Sequence, residues 1–125
     1  MKKKILIIDD EVDLVELVKM RLEFGNYYVL PLYTSARALE ITKREKPDLV
    51  LLDVMMPDKN GYEVSRELKT DKETSRIPII LFTAKSEEKG RIKDKFKESG
   101  ADDYILKPFN PDDLLVKIER FLREK

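Results

Sequence analysis

Short apolar runs alternate along the chain with longer amphipathic stretches. Ile5-Leu6-Ile7-Ile8 is apolar throughout and predicts a buried strand. Val15, Val18 and Leu22 then recur at helical spacing, and Gly25 marks the helix end. Tyr28 to Leu32 predicts a second strand. Pro31 within it places that strand at a sheet edge, because proline cannot donate to the ladder. Ser35 to Lys46 has a helical pattern, with Thr34 as its N-cap and Pro47 as its stop.

Leu49-Val50-Leu51-Leu52 is a third strand, apolar at every position and so covered on both faces. Asp58 to Gly61 predicts a turn and Tyr62 to Lys69 a helix. Ile79 to Phe82, entered through Pro78, is a fourth strand. Glu87 to Ser99 is a weak helix stopped by Gly100. It contains Gly90, which costs about 1 kcal/mol relative to Ala, and offers mainly Ile92 and Phe96 to a core. Tyr104-Ile105-Leu106 is a fifth strand. The last helix opens with Asn110 as N-cap, Pro111 at its first position, and Asp112 and Asp113 near its positive end. Its apolar face is Leu114, Ile118, Phe121 and Leu122.

Five strand–helix units in strict alternation imply an α/β fold, a doubly wound five-stranded parallel sheet with helices on both faces. The 125 residues suffice for one domain with its own core and show no linker, sequence repeat or low-complexity segment, so residues 1–125 are expected to form a single domain.

Composition narrows the chemistry. Without cysteine, the chain has no disulfide, thiolate metal site or thiol nucleophile. Without histidine, it has no imidazole acid/base and carries no phosphohistidine of its own. Its 25 basic and 25 acidic residues balance, so no net field favours nucleic acid or a membrane surface. The apolar run after Met1-Lys2-Lys3-Lys4 is too short for a signal peptide and ends in Asp9-Asp10-Glu11. A cytoplasmic chain is the expectation.

In an open α/β sheet, ligands bind at the carboxyl ends of the strands. The first strand is followed there by Asp9-Asp10 and the fifth by Lys107-Pro108. Asp53 ends the third strand and Thr83 the fourth. Each residue alone has a plain structural explanation. Asp10 could cap the first helix, Asp53 could be an ordinary strand-end acid, Lys107 a solvated lysine and Tyr104 a core aromatic. Together they bring three carboxylates, a hydroxyl and an ammonium to one edge. Carboxylates so placed repel one another unless they bind protons or a cation. With oxygen ligands alone the cation is a hard one, Mg2+ or Ca2+. Mg2+ beside a carboxylate, a lysine and a hydroxyl is a constellation for phosphoryl transfer.

The motifs are more specific than their members. Asp9-Asp10, the run Asp53-Val54-Met55-Met56-Pro57-Asp58-Lys59-Asn60-Gly61 in the form Asp-x-x-Met-Pro-x-x-x-Gly, Thr83-Ala84, and Lys107-Pro108-Phe109 after Gly100-Ala101-Asp102-Asp103-Tyr104 resemble the receiver domains of two-component response regulators over essentially the whole length. The resemblance implies a flavodoxin-like (βα)5 fold with strand order 2-1-3-4-5. It implies that Asp53 is phosphorylated by a partner histidine kinase or histidine phosphotransfer protein. Asp10, Asp53 and the Met55 backbone carbonyl would bind Mg2+ directly, with Asp9 acting through water. Lys107 would pair with the phosphoryl group, Thr83 would swing its hydroxyl onto it, and Tyr104 would rotate inward behind. The Lys107-Pro108 bond would be cis. The face formed by the fourth helix, fifth strand and fifth helix would switch a downstream output protein or domain, with a phosphorylation-dependent homodimer as one form. Such a domain turns over no external substrate.

The fourth helix is locally basic, with Lys85, Lys89, Arg91, Lys93, Lys95 and Lys97 among Glu87, Glu88, Asp94 and Glu98. That pattern fits a solvated face or a partner surface. Met55 and Lys85 flank the site and are expected to tune the lifetime of the phosphorylated state through water access. Other classes fit less well. A phosphatase using an aspartyl phosphate places its nucleophile after the first strand with a second aspartate two positions on, whereas Asp9 and Asp10 are adjacent and no cap domain is present. A flavin module of flavodoxin type needs a Ser/Thr/Gly-rich phosphate loop where Asp9-Asp10-Glu11 would repel phosphate. A degenerate receiver that is never phosphorylated would not keep the site intact. A chain of this extent fits either a free-standing receiver or the receiver part of a longer regulator.

Overall fold

The computed structural model describes residues 2–84 and 89–123. In chain order the elements are β1 (Lys4–Ile8), α1 (Val12–Phe24), β2 (Tyr28–Leu32), α2 (Ala38–Glu45), β3 (Leu49–Asp53), α3 (Gly61–Thr70), β4 (Ile79–Ala84), α4 (Lys89–Ser99), β5 (Asp103–Lys107) and α5 (Pro111–Leu122). The strands form one parallel sheet in the order β2-β1-β3-β4-β5. This is the predicted doubly wound fold, and Pro31 lies on an edge strand as expected.

Successive strand residues point to opposite faces, so each apolar run feeds two cores. Ile5, Ile7, Leu49, Leu51, Ile80 and Phe82 pack with Val15, Val18 and Leu22 of α1 and Leu114 and Ile118 of α5. Leu6, Ile8, Val50, Leu52, Ile79 and Leu81 pack on the other face with Ala38 and Ile41 of α2 and Val64 and Leu68 of α3. The central strands are therefore apolar throughout because both faces are covered. Each fully buried Leu or Ile contributes roughly 1.5–3 kcal/mol against the entropy of ordering the chain.

The helix ends show where local signals meet tertiary ties. Asn110 caps α5 by accepting from the Asp112 amide at 2.8 Å, with Pro111 at the first position. Gly25 closes α1, its amide donating to Arg21 O, but the left-handed residue is Asn26 with φ 72°. Asn tolerates that region through local hydrogen bonding. The second helix begins at Ala38 rather than Ser35. The Thr34 hydroxyl accepts from the Ala36 amide and donates to Asp58 Oδ2 at 2.6 Å. Ser35 Oγ donates to Lys59 O and accepts from the Lys59 amide. These hydroxyls tie the β2–α2 loop to the β3–α3 loop, and residues 35–37 turn instead of opening the helix.

The two helices beside β5 are anchored unequally. Among residues 93–99 of α4 only Ser99 is buried, while Phe96 is half-buried against Tyr104. Helix α5 buries Leu114 and Ile118 and leans Leu115, Phe121 and Leu122 on the same core. Glu87, Glu88 and the Ile92 side chain lie outside the described residues. Hydrogen exchange should find the amides of 93–99 exchanging at least about tenfold faster than those of 114–122, as expected for an element with few buried contacts. Equal protection in both helices would contradict this.

Candidate functional site

The parallel register fixes which residues meet. Ile8 pairs with Leu52, Asp53 with Phe82, Thr83 with Leu106 and Ala84 with Lys107. Asp9, Asp53, Thr83 and Lys107 therefore reach the same carboxyl edge from four adjacent strands. Asp9 is fully buried and Asp53 is 3% exposed, whereas Asp10 is exposed. Oxygens of these three carboxylates lie within 4.8 Å of one another. Asp10 does not cap α1: the residue at that helix start is Glu11, without a side-chain cap, and its amide donates instead to Asp9 Oδ1 at 2.9 Å.

The backbone behind Asp53 is held by Gly61. Its amide donates to Val54 O at 2.9 Å. A Cβ at position 61 would stand 2.5 Å from Asp53 O and 2.8 Å from Val54 Cα, so the glycine is required by close approach. Asn60 starts α3 there, accepting from the Glu63 amide while its own amide donates to the Glu63 carboxylate.

Lys107 Nζ donates to Asp9 Oδ2 at 2.9 Å and to Glu11 Oε1 at 2.8 Å, and lies 3.3 Å from Asp53 Oδ1. Its ammonium also lies 5.9 Å from the centroid of the Phe82 ring, which meets Phe109 in a tilted pair at 4.9 Å between centroids. Burial disfavours charge on this ammonium, but the Glu11, Asp9 and Asp53 carboxylates outweigh burial and hold its pKa above the usual lysine range. Asp53 is pushed up from 3.8 to about 6, first by burial and then by the charge of Asp9. Lys107 and the Met55 amide, 3.4 Å from Asp53 Oδ1, oppose that rise without cancelling it. The edge thus carries more negative charge than Lys107 neutralises. An oxygen-only donor set with excess negative charge fits a hard divalent cation held by water and carboxylates.

Thr83 Oγ1 is buried and has no hydrogen-bond partner among the described residues. Leaving such a hydroxyl unsatisfied costs about 1–3 kcal/mol. Tyr104 is half-buried and meets Phe96 edge-on at 5.3 Å. The Lys107-Pro108 peptide is cis, as the resemblance implied. Met55 projects its side chain outward beside Asp53, 65% exposed. Lys85 lies outside the described residues. Sequence reasoning missed Glu11 as a partner of Lys107; the only signal was a third acid directly after Asp9-Asp10.

The raised pKa of Asp53 has a definite sign in stability. The folded chain binds a proton at Asp53 more readily than the unfolded chain does. The stabilising contribution is full below about pH 4 and is lost as pH rises through about 6. In metal-free buffer, Asp53→Asn should therefore be more stable than wild type at pH 7 by up to about 3 kcal/mol. The gain should vanish below about pH 4 in urea unfolding. A gap that does not change with pH would contradict the charge origin.

Comparisons with known proteins place the whole chain in a family. A family model described as response regulator receiver domain matches residues 5–119. The phosphate regulon transcriptional regulatory protein PhoB of Pseudomonas aeruginosa is 44% identical over 121 residues, covering 97% of this chain and 52% of that protein. The alkaline phosphatase synthesis transcriptional regulatory protein PhoP of Bacillus subtilis is 41% identical over 123 residues, covering 98% of this chain and 50% of that protein. The chain spans about half the length of these curated relatives. Among solved structures, the chemotaxis response regulator CheY4 of Vibrio cholerae superposes with a TM-score of 0.88 at 28% identity, covering 98% of this chain and all of that one. A family model that matches residues 5–119, relatives more than 40% identical along nearly the whole chain, and a shared fold mean that the chain belongs to the receiver domains of two-component response regulators.

Proposed function

We propose that residues 1–125 act as a single receiver domain in which Asp53 is the phosphoacceptor. The observation that carries this is the placement of Asp53: almost wholly buried, with Asp9 and Asp10 carboxylate oxygens within 4.8 Å and Lys107 Nζ 3.3 Å away. In the proposed reaction an Asp53 carboxylate oxygen attacks the phosphorus of a phosphohistidine. The bond from phosphorus to the imidazole nitrogen breaks, and the imidazole leaves with the electron pair. These residues include no histidine, so a histidine kinase or histidine phosphotransfer protein supplies the donor.

Asp9, Asp10, Asp53 and the Met55 backbone carbonyl would hold a Mg2+ ion. When bound, Mg2+ would supply positive charge opposite the transferring oxygens. Lys107 is placed to donate to a phosphoryl oxygen on Asp53. Thr83 brings a buried hydroxyl without a partner among the described residues, so a new acceptor at Asp53 would relieve its cost. Movement of Thr83 would leave space into which Tyr104 turns from Phe96. That sequence would bias the α4-β5-α5 face, with a coupling of about 1–3 kcal/mol typical of such switches.

The domain would signal through a downstream output protein or domain, or through a phosphorylation-dependent homodimer, and turn over no external substrate. The balanced charge gives no support for direct nucleic-acid binding. Among the described residues no helix is long and apolar enough to cross a membrane, and a cytoplasmic setting fits a kinase-fed switch. Met55, exposed beside Asp53, would tune the lifetime by screening water.

Incubation with acetyl phosphate and Mg2+, followed by intact mass, tests the assignment. The expected result is one phosphoryl adduct on wild type and none on Asp53→Asn or after chelation. An unmodified wild type, or an adduct that survives Asp53→Asn, would overturn it.

A further inference from the structure

Glu11 is a residue of the site that the proposed chemistry does not use. It stands at the start of α1, two residues after Asp9, with its side chain 61% exposed. Its contact with Lys107 spans 96 positions of sequence and, at 2.8 Å, is the shortest of the three carboxylate contacts that the described residues make with that ammonium. Asp9 follows at 2.9 Å. Asp53, whose phosphoryl group Lys107 would serve, has the longest contact at 3.3 Å.

An ammonium offers three donors. Three carboxylates already surround this one, so a phosphoryl oxygen can claim it only if one of them yields. Asp9 is poorly suited to yield. It is fully buried, and its other oxygen accepts from the Glu11 amide. Glu11 is suited: its chain is long, it sits at the rim, and water can replace Lys107 around its carboxylate.

We propose that Glu11 is a positioning residue that restrains Lys107 in the unphosphorylated chain and gives it up when Asp53 carries a phosphoryl group. Two effects act in the same direction. The contact stabilises only the unmodified state, and the Glu11 charge repels an incoming phosphate anion. Glu11 thereby sets a threshold against phosphorylation. This inference rests on Asp53 being the phosphoacceptor, so its test must separate the two.

Beryllofluoride, a non-covalent mimic of the phosphoryl group, serves as the probe, titrated calorimetrically into the full chain with saturating Mg2+. Glu11→Gln should bind it about two- to five-fold more tightly than wild type, the range that an exposed ion pair supplies. Glu11→Asp keeps the charge but is one methylene short of Lys107, and it should also bind more tightly. Mg2+ titrated alone should show no gain in either variant, which ties the effect to the phosphoryl position. Unchanged or weaker beryllofluoride binding by Glu11→Gln overturns the inference. So does Glu11→Asp behaving as wild type, since charge at a distance would then suffice without the contact. Wild type failing to bind beryllofluoride would instead remove the phosphoacceptor assignment itself.

Discussion

Lys107 reaches from the end of β5 across the sheet edge to β1 and β3, where its ammonium touches Asp9, Glu11 and Asp53. Two of those carboxylates are buried, and a buried charge without a partner is costly. The ammonium makes their placement tolerable, and the strands beneath make it rigid. Leu51, Leu52, Ile80, Leu81 and Phe82 are fully buried directly under the site. Neutralisation is nevertheless incomplete: Asp9, Asp10, Asp53 and Glu11 share the edge with Lys107, and burial together with the Asp9 charge raises the pKa of Asp53. That remaining imbalance suits the edge to a cation or a proton, and it weighs against the folded chain while neither is bound.

The same edge holds a second cost. Thr83 buries a hydroxyl with no partner among the described residues, one strand from Asp53. Unsatisfied polar groups are rare in native proteins and gather where function requires them. Together, the crowded carboxylates and the idle hydroxyl leave the unmodified site short of its best electrostatic arrangement. The proposed modification supplies what each lacks: an acceptor for Thr83 and a new partner for Lys107. The helix α4 follows β4 in the chain, and among its residues 93–99 only Ser99 is buried.

How far this was legible in the sequence depended on the range of the interactions. The runs 5–8, 49–52 and 79–82 showed buried strands because apolar residues occupied both faces. Once the strands were placed, Asp9, Asp53, Thr83 and Lys107 had to share an edge, and the motif resemblance agreed. Boundaries set by long-range ties were hidden. The start of α2 moved because Thr34 and Ser35 bond to Asp58 and Lys59, 24 positions away. The left-handed turn after α1 fell on Asn26, although Gly25 was the better local candidate. Glu11 looked like one more acid in an acidic run, since its partner lies 96 positions on.

The central claim is that Lys107 compensates buried carboxylates which a divalent cation can also compensate. Urea unfolding of Lys107→Met against wild type, with and without millimolar Mg2+, tests it most directly. The account predicts a loss of about 3 kcal/mol at pH 7 without metal, as expected when one partner of a buried ion pair is removed. It also predicts a clearly smaller gap in Mg2+, because the cation binds the freed carboxylates without repulsion from the ammonium. No loss in metal-free buffer, or a gap that Mg2+ leaves unchanged, would contradict it.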